Sequence, residues 1–242
     1  MRRPTRSSWL WVGLLVAGCG GGGGGDPDPR LPSVLYSHDF ATGAGGWLTD
    51  SADYTPETAP EGLVAESRPL PEPFTELGLY LAGTNRSDDL FIYGKTKVSG
   101  LSPGATYRAA FRVTVLTRVP AGCIGVGGSP GESVWIAVGL SQAEPLTVLE
   151  NGEYRVNIPR GNQSTGGEAG EVLGDITTTI TNCAGFEWQS KTLVSAAPPP
   201  LTVTADSRGE VWILVGMDSG FESFSEIYLR TVGVEFSPVD RG

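Results

Sequence analysis

The chain has 242 residues, with 17 basic and 27 acidic side chains and a formal net charge of −10. Such an acidic surface repels phosphate backbones and anionic lipid heads, which argues against nucleic acid as a partner and leaves cations and neutral polymers such as glycans. The count of 1 histidine rules out a His-based metal centre and leaves only that base for any Ser-His chemistry.

At the start, Arg2, Arg3 and Arg6 precede an apolar run over residues 9–17 that is too short to remain as a membrane span. Val16, Ala17 and Gly18 then lead into Cys19, an order that resembles the bacterial lipobox. The resemblance implies that residues 1–18 are a lipoprotein signal peptide and that Cys19 becomes the acylated first residue. The expected location is therefore the cell envelope, with the membrane reached through lipid on Cys19. Gly20, rather than Asp, after the cysteine resembles the outer-membrane sorting pattern of Gram-negative lipoproteins. The alternative is an ordinary secretory signal with an incidental cysteine. Loss of the three arginines leaves 14 basic against 27 acidic residues, a formal −13. Residues 19–33 hold a glycine run and then Asp26, Pro27, Asp28 and Pro29, and read as a Gly/Pro-rich tether.

From 34 to 238 the pattern is continuous, about 200 residues, enough for one core. The longest stretch free of Gly and Pro, residues 105–119, alternates. Tyr107, Ala109, Phe111, Val113 and Val115 fall on one face, and Arg108, Ala110, Arg112 and Thr114 on the other. A period of two is a half-buried strand. Val134, Ile136, Val138 and Leu140 alternate likewise, as do Val211, Ile213, Val215 and Met217, and Leu77, Leu79 and Leu81. Further strands are predicted over 34–40, 88–93, 154–158, 172–179 and 226–236. Leu201, Val203 and Ala205 precede a turn at 206–209, so 201–217 is predicted to be a β-hairpin. Residues 157–174, rich in Gly, Asn, Gln and Ser, read as a long surface loop of the kind that carries binding sites on β scaffolds. Short strands separated by turn signals predict an all-β fold, an antiparallel β-sandwich. In an oxidising compartment Cys123 and Cys183 read as a disulfide, the alternative being two buried thiols.

His38-Asp39-Phe40, Gly45-Gly46-Trp47 and Asp53-Tyr54 resemble the first strands of jelly-roll carbohydrate-binding modules. So does the run from Leu101 through Pro103 and Gly104 to Tyr107, which enters the long central strand. The closing segment, with Trp212 and the run from Asp218 to Glu222, looks like bacterial envelope lipoproteins of unassigned function. The resemblance implies a jelly-roll-like domain and does not by itself imply sugar binding.

Trp135 and Trp212 alternate out of phase with the aliphatic residues of their strands. If both face solvent they form an aromatic platform for sugar rings; the alternative is burial on both faces. Asp218 and Glu222 flank Gly220, and Asp39 lies near the first strand. Oxygen ligands on a glycine-bearing turn suit Ca²⁺, so a structural calcium is the candidate metal and no other cofactor is required. The alternative is a solvated acidic turn. Gly127-Gly128-Ser129-Pro130-Gly131 satisfies G-x-S-x-G literally, but a nucleophile elbow needs a helix next and a strand follows. The expected function is non-catalytic binding or adhesion at the envelope, with glycan as ligand. The alternatives are a structural lipoprotein contacting another envelope protein, and a secreted hydrolase.

Overall fold

The computed structural model describes residues 31–196 and 200–239. The predicted signal peptide, Cys19 and most of the tether lie outside the described residues. In chain order the strands are β1 (Val34–Asp39), β2 (Leu48–Ala52), β3 (Glu61–Pro69), β4 (Leu77–Thr84), β5 (Leu90–Val98) and β6 (Thr106–Thr117). They continue as β7 (Val134–Ser141), β8 (Thr147–Glu150), β9 (Glu153–Val156), β10 (Gly161–Asn162), β11 (Thr165–Gly166) and β12 (Gly170–Asp175). The last four are β13 (Gln189–Val194), β14 (Leu201–Thr204), β15 (Val211–Ser219) and β16 (Phe224–Pro238).

Two antiparallel sheets pack face to face, so the fold is the expected all-β sandwich. The five-stranded sheet has the order β12-β7-β15-β5-β2. The seven-stranded sheet runs β13-β6-β16-β4-β3, and its two longest strands each carry a pair of short strands end to end. Along β16, β4 pairs residues 224–229 and β1 pairs 231–236, the change falling beside a bulge between Leu229 and Thr231. Along β6, β14 and β13 divide the outer edge in the same way. From β4 to β7 successive strands alternate between sheets; β15 then enters between β7 and β5, and β16 between β6 and β4. This is a jelly-roll-like winding.

The alternation read from residues 106–115 is the observed one: Tyr107, Ala109, Phe111, Val113 and Val115 are buried, while Arg108, Ala110 and Arg112 are exposed. They meet Val134, Ile136, Val138, Ile213, Val215 and Met217 of the opposite sheet in one core. Burying such side chains contributes about 1.5–3 kcal/mol each, which holds the two layers together.

Two predicted elements differ. Residues 201–217 are not a hairpin: β14 pairs β6 in one sheet, and β15 pairs β5 and β7 in the other. The turn at 206–209 is a corner between layers, anchored where the Leu101 N–H donates to the Gly209 carbonyl, 3.1 Å. Residues 157–174 are not an open loop. They contain most of β12, the edge strand of the five-stranded sheet, and also β10 and β11, which with β8, β9 and Ile158 form a cover over the outer face of that sheet. That face is apolar at Phe91, Tyr93, Ala137 and Leu214, all buried, and Ile158 packs against them. Backbone bonds pin the cover: the Asp53 N–H donates to the Tyr154 carbonyl, 2.6 Å, and the Tyr154 N–H to the Tyr54 carbonyl, 2.8 Å. Lys95, 5% exposed, reaches Glu144 at 2.8 Å and the Pro145 carbonyl at 2.6 Å.

Candidate functional site

Cys123 and Cys183 form the expected disulfide, with Cα atoms 5.7 Å apart. It ties the loop after β6 to the segment before β13. Beside it lies a groove of about 360 Å³ whose walls include Pro120, Ile124, Phe186, Phe221 and Phe224. Phe186 is 61% exposed, Phe224 47% and Ile124 99%. These side chains sit on loops and at the start of β16, and among the described residues no second layer covers them.

The groove also has a polar end. Arg118 pairs with Glu226, whose other carboxylate oxygen accepts the Tyr80 hydroxyl at 2.6 Å. Burial and the Glu226 carboxylate push the Tyr80 hydroxyl well up, so it remains a donor at physiological pH. The Arg118 guanidinium lies 5.0 Å from the centre of the Trp188 ring. Trp188 meets Tyr228 edge-on at 5.5 Å, and Tyr228 packs on Tyr80 at 4.6 Å. The charged pair is thereby held in place by packed aromatic rings.

A second cluster sits at one end of the cover. Ala52 of β2 and Asp218 of β15 both pair with Phe91 of β5, so the chain just beyond β2, just before β5 and at the end of β15 converges at one level. This brings together Asp53, Asp89 and Asp218, each offering a carboxylate oxygen within 4.8 Å of the others. Arg160 of the cover lies over the Phe91 ring, 3.7 Å from its centre. Its guanidinium donates to Asp218 Oδ2 at 2.6 Å and also pairs with Asp53. The Gln163 backbone N–H donates to the same Asp218 oxygen, 2.8 Å. Asp53 (φ 67°), Asp88 (φ 62°) and Gln163 (φ 49°) adopt the left-handed backbone, an uncommon conformation for residues with a Cβ. Burial first, and then the carboxylates of Asp218 and Asp53, push Asp89 up to about 8. Burial works to discharge Arg160, but Asp218, Asp53 and Asp89 outweigh it and keep the guanidinium charged.

The predicted calcium set is not assembled. Asp39 is exposed at the end of β1 in the seven-stranded sheet, where it accepts the Ala41 N–H at 2.9 Å. Glu222 is exposed on the turn before β16. Asp218 is not on that turn but within β15, fully buried and bonded to Arg160. Asp53, Asp89 and Arg160 were missed by sequence reading. Their convergence depends on strand pairing; in the sequence, Asp53 stands out only within the Asp53-Tyr54 pair.

Trp135 and Trp212 share the outer face of the five-stranded sheet but lie at opposite ends. Trp135 pairs with Asp218, and Trp212 with Ser141, six positions along β7, about 20 Å away at strand spacing. Each is half-buried, and Lys95 and Lys97 flank the Trp212 ring at 5.8 and 5.4 Å. The structure does not bring them into one platform. For the hydrolase reading, the Ser129 hydroxyl bonds to Glu132, and His38 in β1 bonds to the Gly43 carbonyl at 3.0 Å. The converging carboxyls of Asp53 and Asp218 are 5% and 0% exposed beneath Arg160.

No protein-family model matches the chain, and no curated protein matches it. Solved structures of similar shape include a carbohydrate-binding module of the β-sandwich superfamily described for promiscuous specificity, at 16% identity and TM-score 0.37, covering 84% of this chain and 60% of that one. A second is a carbohydrate-binding module described for specific mannan recognition, at 12% identity, TM-score 0.38 and coverage of 84% and 98%. A third is the K3 adhesin domain of Lys-gingipain from Porphyromonas gingivalis, at 14% identity, TM-score 0.39 and coverage of 84% and 99%. The chain therefore spans about three fifths of the length of the first of these.

Proposed function

We propose that the chain is a non-catalytic binding module of the bacterial envelope, held to the membrane by acyl chains on Cys19, and that it binds glycan in the groove beside the Cys123–Cys183 disulfide. The observation that carries this reading is the pairing of exposed Phe186 and Phe224 rings with the Arg118–Glu226 pair in one groove. Sugar rings present a C–H face that packs on aromatic rings and hydroxyls that bond to charged side chains. The disulfide supports an oxidising compartment such as the envelope. The lipid anchor rests on the order of residues leading into Cys19.

The test is a glycan array and polysaccharide pull-down with the purified chain and its Phe186→Ala/Phe224→Ala variant. The expected outcome is retention on a glycan class and weakening by about tenfold or more, the effect of about 1.4 kcal/mol, in the variant. Trp135→Ala and Trp212→Ala leave retention unchanged. Retention on no glycan, or equal retention by the groove variant, removes this reading. Mass spectrometry of envelope-extracted protein reads the acylation at Cys19 separately.

A second reading is contact with another envelope protein. Ile124 favours it, since a nearly bare aliphatic side chain in the same groove as Phe186 and Phe224 makes an apolar edge. Cross-linking from a photoreactive group at position 124 in intact cells reads it directly.

A further inference from the structure

The structure assigns a hard divalent cation, of the Ca²⁺ class, to Asp53, Asp89 and Asp218. There it fastens the 157–168 segment to the end of the five-stranded sheet. Three observations converge on it, and none depends on the glycan groove.

The first is charge. Three carboxylates face one guanidinium, Arg160, in a region where Asp53 is 4% and Asp218 0% exposed. Arg155 also acts on Asp53 but is committed to Glu153, which accepts from it at 2.7 and 3.1 Å. Arg160 balances one of the two buried carboxylates, so Asp53 and Asp218 alone leave the cluster short by one positive charge and an ionised Asp89 makes the shortfall two; buried charge needs a partner.

The second is donor inventory. Asp218 Oδ2 is taken by Arg160 and by the Gln163 N–H, while Oδ1 is buried without a hydrogen-bond donor among the described residues. Asp89 Oδ1 is in the same condition. An ionised carboxylate oxygen only accepts, so a fully buried one without a donor calls for a cation.

The third is chemistry. The cluster offers oxygen alone, with no His or Cys among its members. Such a set suits Ca²⁺, which takes six to eight oxygens with water completing the shell, and not Zn²⁺. The donors come from three separated stretches, so one ion would close the chain around residues 53, 89 and 218 and steady Arg160 and Gln163 of the cover.

The experiment uses the purified full chain, dialysed against chelator and then titrated with Ca²⁺ alone by calorimetry, with melting followed in parallel. The expected result is one ion per chain with a dissociation constant at or below about 1 mM. At saturating Ca²⁺ the melting temperature rises by about 5 °C or more. Asp89→Asn, at the half-exposed member, weakens binding by about tenfold or more, since affinity follows ligand charge. Asp39→Asn and Glu222→Gln, outside the cluster, bind as the parent does. If Asp218→Asn fails to fold, Asp89→Asn and the two controls still decide the matter. No heat and no melting shift in the parent chain overturns the assignment. So does an Asp89→Asn chain that is more stable without metal while the parent binds none, because the cluster is then balanced by a proton.

Discussion

Removing the Cys123–Cys183 bridge tests how much of this fold is held by its covalent closure. The bond spans a sequence separation of 60. In the chain-entropy account, closing a loop of that size restricts the unfolded chain by about 4 kcal/mol at 25 °C. For a domain of this length each kcal/mol shifts the melting temperature by about 2–4 °C, so the predicted fall is about 8–16 °C. Cys123 is 8% exposed, so Cys123→Ser adds a small packing loss that reduction does not. The assay is thermal melting by circular dichroism of three samples: oxidised chain, reduced chain, and the Cys123→Ser/Cys183→Ser chain with and without reductant. Reductant lowers the parent to near the double variant and leaves the variant unmoved. A fall of less than about 3 °C on reduction refutes the reasoning, because the loop is then already ordered in the unfolded reference.

Arg160→Met leaves Asp53 and Asp218 buried without their counter-charge and lowers stability by about 3–5 kcal/mol in urea unfolding at neutral pH without divalent cation; a loss under about 1 kcal/mol removes Arg160 as the keystone of the cover. Ile213→Ala, fully buried between the sheets, costs about 2–5 kcal/mol, whereas Arg108→Ala on the exposed face of β6 stays within about 0.5 kcal/mol, and similar costs at both sites contradict the two-layer core. Gly209→Ala strains the corner between β14 and β15, where φ is +74° and a Cβ runs into the Leu101 carbonyl; a loss of about 1 kcal/mol or more is expected, and an unchanged urea midpoint refutes it. Burial by itself raises Asp175, but hydrogen bonds from Lys191 and Thr177 outweigh it and hold the carboxyl below its usual value. Its folded pKa is thus lower than its unfolded one, so its contribution is complete above the usual carboxylate range and is lost as pH falls through the folded value. Urea midpoints measured from about pH 5 down to about pH 2 fall less steeply in Asp175→Asn, and parallel curves for both chains remove this contribution.

Period-two alternation at 106–115, 134–140 and 211–217 was legible because it reports which side chains leave water, a property of neighbouring residues. The cysteine pair was legible for a different reason: with Cys19 expected to carry lipid, two cysteines remain, and an oxidising compartment would favour their pairing. Strands such as β3, β8 and β13 were not legible: they are largely exposed, so no apolar stripe marks them. Partner choice was not legible either. The turn at 206–209 suits a hairpin, yet β6 and β5 offered β14 and β15 edges in different layers, and burial of both faces of β15 outweighed local pairing. The same holds for residues 157–174, whose polar composition reads as loop but whose Ile158 and Arg160 cover an apolar sheet face.

What the sequence determined by itself is therefore local, the extended segments and the inward side of each, with one long-range contact, the disulfide, read from the cysteine count. The tertiary structure decided the other meetings of distant residues. It placed Trp135 and Trp212 at opposite ends of a face, dispersed Asp39, Asp218 and Glu222, and gathered Asp53, Asp89 and Asp218 around Arg160. Electrostatic and coordinating groups act over a few ångströms in space, and strand pairing alone sets which residues, tens or hundreds of positions apart, come within that range.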